Sequence, residues 1–97
     1  MNSLIIADKL KKGETVSYKA HGNSMTPIIR TGQKVTLKPI KLSEVKKGDT
    51  VFCKVKGRFF THLVTGIKKD QVQISNNNGH VNGWTSQVFG VLIKVGE

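Results

Sequence analysis

Apolar residues recur along this chain at two different periods, and the change of period divides it. In residues 3–12, Ile6 and Leu10 stand four apart and share one helical face. Ser3 is placed to cap the helix start. Lys9, Lys11 and Lys12 fall in the last turn, where the helix dipole favours cations, and Gly13 suits the stop. From residue 15 onward the period is two, the mark of strands with one face buried. Val16, Tyr18 and Ala20 alternate with Thr15, Ser17 and Lys19, and Val35 and Leu37 with Lys34, Thr36 and Lys38. Val51, Cys53 and Val55 alternate with Phe52, Lys54 and Lys56. Further runs lie at 59–67, 72–75 and 88–95, with glycines and an Asn-rich segment between them. The pattern predicts a mainly β fold: a small coiled antiparallel sheet or partly open barrel of about six or more short strands, with one short N-terminal helix.

Length and composition narrow the class. Ninety-seven residues suit one domain, so residues 1–97 are read as a single unit. The longest apolar run is four residues, 4–7, far short of the ~20 that cross a bilayer. The first dozen residues also lack the long apolar stretch of a secretory signal. Cys53 is alone, which excludes an internal disulfide and a thiolate metal cluster and agrees with a reducing cytoplasm. Three histidines without ligand spacing give no metal site, and no cofactor motif is present.

Charge adds a second possibility. Sixteen Lys and Arg against six Asp and Glu leave a net +10, and fourteen of the cations are Lys. Such an excess attracts nucleic acid or acidic proteins. Lysines also form the solvated faces of strands and keep sheet edges from pairing. Sequence-specific base readers lean on Arg, and only Arg30 and Arg58 are present.

Two segments are neither plain strand nor plain turn. In Gly22-Asn23-Ser24-Met25-Thr26-Pro27, a serine sits at the tip of a connection, with Gly22 ahead of it and Pro27 fixing the exit. This layout presents a hydroxyl beside free backbone N–H groups, as acyl transfer requires. Taken alone, a Gly-Asn-Ser turn is more commonly a helix cap. The second segment runs from Gly48-Asp49-Thr50-Val51 through a hairpin at Gly57 to Phe59-Phe60-Thr61-His62-Leu63-Val64. A strand histidine, taken alone, is more commonly a half-buried structural residue.

Together these motifs resemble the signal peptidase and LexA-like serine peptidase superfamily: Gly-x-Ser-Met-x-Pro, a Gly eight residues after the Ser, Gly-Asp-x-Val, then His-x-Val. The resemblance runs from about Tyr18 to Val95. It implies Ser24 as nucleophile, with the backbone N–H groups of Ser24 and Asn23 forming the oxyanion hole. His62 falls where bacterial signal peptidases and LexA-type repressors place a lysine base. That is similar to the branch, including endoplasmic-reticulum and archaeal signal peptidases, that uses histidine. An imidazole titrating near ~6.5 can accept the serine proton at neutral pH. Phe59 and Phe60 point to opposite faces of one strand, so one of them, Phe60 on the His62 face, joins Met25 as an expected lining of a substrate groove. The implied partner is a peptide or protein, bound as an added strand.

The sequence departs from the family pattern at Gly32-Gln33, where Gly-Asp is usual, and at Asn76-Asn77-Asn78-Gly79. There, histidine-type members carry an acidic partner for the base. Asn77 aligns with that acid and Asn82 with a second acid further on. No Asp or Glu lies between Asp70 and Glu97, so a carboxylate for His62 would have to come from Asp49, Asp70 or elsewhere. An Asn orients an imidazole but supplies no charge to stabilise the imidazolium. A slow peptidase is therefore expected, with Asn77→Asp raising its reactivity. The family's membrane anchor and DNA-binding domain are not seen, a form that phages and mobile elements often encode. Two readings stand: a Ser24/His62 peptidase, or a decayed binding module using its basic surface for nucleic acid or a protein.

Overall fold

The computed structural model describes residues 2–96. Helix α1 (Ser3–Lys11) forms as the spacing predicts, but its cap is Asn2, whose side chain accepts from the Ile5 N–H at 2.9 Å. Ile6, Ala7 and Leu10 are its buried face. Burying an Ile or Leu side chain stabilises by about 1.5–3 kcal/mol, enough to fix a helix too short to stand alone.

Seven strands follow: β1 (Val16–Lys19), β2 (Lys34–Pro39), β3 (Thr50–Val55), β4 (Arg58–Ile67), β5 (Val72–Ser75), β6 (Val81–Thr85) and β7 (Val88–Val95). They form one antiparallel sheet in the order β1-β2-β7-β3-β4-β5-β6. The sheet coils until β6 meets β3, where the Thr85 hydroxyl donates to the Lys54 carbonyl at 2.6 Å. Mainly β with one N-terminal helix is thus the architecture, with β6 in addition to the strands read from alternation.

Central strand β3 is buried on both faces, which accounts for its mixed apolar sequence. One face packs Val51, Cys53 and Val55 against Val64, Val72 and Ile74 inside the coil. The other packs Phe52 against α1 through Ile6, Ala7 and Leu10. Gly90 on β7 permits this approach, because a Cβ there would lie 2.9 Å from both Leu10 Cδ1 and the Lys38 carbonyl oxygen. Burial pushes the Cys53 thiol up to about 12, so it is inert as a nucleophile at neutral pH.

The β3–β4 hairpin positions the rest. Lys56 and Gly57 both take positive φ, 50° and 80°, the type I′ pattern that matches strand twist. That two-residue turn sets the register Val55↔Arg58, and four residues along each strand it brings His62 opposite Val51. Strand β5 pairs with β4 only from Leu63 to Ile67. The first half of β4 therefore keeps a free edge beside the cleft described next.

Among the described residues the ion pair is Lys12 with Asp8, one turn apart on α1. Lys11, Lys54, Arg58 and Lys68 lie over the rings of Phe89, Phe59, Phe60 and Trp84. Among the described residues, no helix is long and apolar enough to cross a membrane.

Candidate active site

The connection between β1 and β2 carries the serine. It is a series of turns anchored by Met25 and Ile29, which are buried with Val35 in a third apolar cluster. Hydrogen bonds from Thr26 N–H to Asn23 O at 3.1 Å and from Ile29 N–H to Met25 O at 2.9 Å close the turns. Ser24 is thereby held on a bend immediately before the first of two anchored side chains, outside any strand ladder.

His62 arrives from β4. It is 7% exposed, with its ring tilted against Phe60 at 4.8 Å between centroids. Its two ring nitrogens have different partners. Nε2 lies 2.9 Å from Ser24 Oγ, and Nδ1 lies 2.7 Å from Asn82 Oδ1. An amide oxygen can only accept, so Nδ1 carries the proton and Nε2 is left as acceptor for the serine O–H. This is the tautomer a general base needs. Burial lowers the His62 pKa below the usual histidine value; the Asn82 hydrogen bond acts in the opposite direction, and nearby His80 adds to the lowering. The ring is accordingly neutral at neutral pH.

The expected place of Asn77 is corrected by this geometry. Its side-chain Nδ2 donates to Thr26 O at 2.8 Å, and its backbone N–H donates to Ser24 O at 2.8 Å. It faces the serine turn, while Asn82, two residues into β6, takes the ring. Asp49 is engaged elsewhere, its carboxylate accepting from Lys46 N–H at 2.9 Å. Asp70 lies in the β4–β5 turn, where Lys68 N–H bonds Gln71 O. The signal for Asn82 in the sequence was its alignment with the family's second acidic position.

Beside the pair runs a cleft of about 640 Å³. Its walls are the outer side of β1 and the unpaired half of β4, and Ile6 of α1 and Phe52 also reach it. Tyr18 and Thr61 share a hydrogen bond across it. Burial raises the Tyr18 phenol, with the Thr61 hydrogen bond opposing, so the bridge is neutral. Phe60 lines the cleft. Met25 borders it too, but at 4% exposure its main role is to anchor the loop. Among the described residues, no backbone carbonyl accepts from the N–H groups of Asn23, Ser24 or Met25. Among the described residues, no three His, Cys, Asp or Glu side chains gather as a metal site.

A family model described as Peptidase S24-like matches residues 2–88. The chain belongs to this family. The Peptidase S24-like match covers α1, the serine turn, β4 and β6, so every group that meets at the imidazole falls within it. A search of curated proteins found no significant match to this Peptidase S24-like chain.

Proposed function

We propose that this serine peptidase-like domain cleaves an acyl bond of a peptide or protein, with Ser24 as nucleophile and His62 as general base. The observation that carries this reading is the continuous relay from Ser24 Oγ through His62 to Asn82 Oδ1 at the wall of a cleft. Ser24 Oγ attacks the carbonyl carbon while its proton passes to His62 Nε2. The C–N bond then breaks, and the imidazolium returns the proton to the leaving amine. Water, deprotonated by the same nitrogen, then bonds to the acyl carbon, the C–O bond to Ser24 breaks, and the imidazolium returns this proton to Ser24 Oγ. The unpaired N–H groups of Ser24 and Asn23 supply donors for the oxyanion. An extended substrate fits between two free strand edges, pairing by backbone hydrogen bonds beside Phe60. Residues 1–97 then act as one catalytic unit, and the inert, unpaired Cys53 suits a cytoplasmic setting.

Asn82 orients the ring but adds no charge as the imidazolium forms, so turnover is slow. Reaction with a fluorophosphonate probe followed by mass mapping tests the assignment. A slowly formed adduct on Ser24 is expected, lost in both Ser24→Ala and His62→Ala. No adduct at saturating probe, or one on another residue, would remove the peptidase reading.

A further inference from the structure

Among the described residues, the Asn-rich connection from Asn76 to Gly79 makes no hydrogen bond to the imidazole, yet it is tied to the Ser24 turn. Asn76 Oδ1 accepts from the N–H groups of Asn78 and His80, both at 2.9 Å, and its own N–H bonds His80 O at 2.9 Å. The connection is thus a closed turn with a fixed outward residue, Asn77. That residue donates twice into the serine turn: backbone N–H to Ser24 O, and Nδ2 to Thr26 O. The two acceptors flank Met25, so the bonds hold the peptide units on either side of the bend that carries Ser24. Directly after this turn, β6 begins at Val81 and presents Asn82 to His62. One short segment therefore grips both halves of the relay, the serine backbone through Asn77 and the ring through Asn82.

We propose that Asn77 is a positioning residue for the nucleophile, bracing the Ser24 turn against the strand that orients His62. The inference rests on the peptidase reading. Among the described residues, the other hydrogen bond joining residues 23–27 to the β4–β6 side of the cleft is the Ser24–His62 contact itself. Met25 and Ile29 anchor the loop toward β2 through Val35, on its other side. Without Asn77 Nδ2, the bend is free to swing about those anchors, and reactive groups displaced by about 1 Å lose on the order of 100-fold in rate.

The test uses Asn77→Ala, which removes Nδ2 and leaves the backbone N–H, in two measurements. Amide hydrogen exchange should accelerate at Thr26 and Ile29, whose bonds close the turn. Fluorophosphonate labelling of Ser24, normalised to folded protein, should fall about 10- to 100-fold in its maximal rate at unchanged probe affinity. Its pH midpoint should stay put, because Asn77 does not touch the ring. Asn77→Asp, which also lacks the donor, should give no gain. Unchanged exchange at Thr26 and Ile29 would overturn the brace. So would equal labelling per folded molecule in the variant and in a wild type that labels, since a merely structural role costs stability without that loss. A wild type that does not label at all would instead overturn the peptidase reading on which the proposal stands.

Discussion

His62 and Ser24 meet at 2.9 Å, but opposite kinds of structure deliver them. The histidine sits in a ten-residue strand, paired with β3 opposite Val51 and buried against Phe60. Its position follows from hairpin register and core packing, which many residues share. The serine sits in turns outside the sheet, fixed by two buried side chains and a few hydrogen bonds. Damage to the strand side should therefore act through global stability and leave folded molecules competent. Damage to the loop side, or to the polar contacts at the ring, should change reactivity and leave stability nearly intact.

The largest effect expected is on the ring contact. Asn82→Asp places a carboxylate at Nδ1, which orients the same tautomer and also stabilises the imidazolium. The labelling rate at Ser24 should rise, by at most about the 10⁴-fold that separates Asp from Asn in the trypsin triad. The His62 midpoint should move upward with it. A rate unchanged by Asn82→Asp would mean that charge at Nδ1 does not limit the reaction. On the strand side, Ile74→Ala empties a fully buried site and should cost about 2–5 kcal/mol by denaturant unfolding. Labelling per folded molecule should hardly move; a loss beyond the unfolded fraction would break the contrast drawn above.

Gly90→Ala probes the helix in the same way. The added Cβ collides with Leu10 and with backbone, and overpacking of this kind costs about 1–3 kcal/mol. A melting temperature equal to wild type would show that α1 is not seated on β7. The smallest effect is the pH dependence of stability from His62. Its folded pKa lies below the unfolded value, so the unfolded state binds more protons as pH falls past about 6.5. Stability from this group is full above that pH and declines as pH drops through the folded midpoint. His62→Gln should flatten the decline seen in thermal melts; a steeper decline in the variant would reverse the sign.

The same division governs what was legible in the sequence. Strands β1, β2, β4, β5 and β7 were readable because burial on one side imposes a period of two, and β3, buried on both faces, was readable from its run of Val51, Phe52 and Cys53. Strand β6 was not, because it is an edge strand with Val81 half exposed, a polar Asn82 and a glycine at its centre. Ser24 and His62 came from motif spacing. Whether the ring partner was Asn77 or Asn82 could not come from spacing, because it depends on the direction in which the closed turn at 76–80 ejects each side chain. Asn2 rather than Ser3 as helix cap is the kind of one-residue shift expected at a helix end.

The pH dependence of Ser24 labelling tests the central claim most directly. If neutral His62 takes the serine proton, the rate should climb with pH through a single midpoint below about 6.5, then level off, and His62→Ala should abolish the climb. A Ser24 adduct whose rate ignores His62, or rises only in the range of lysine or hydroxide, would contradict the relay.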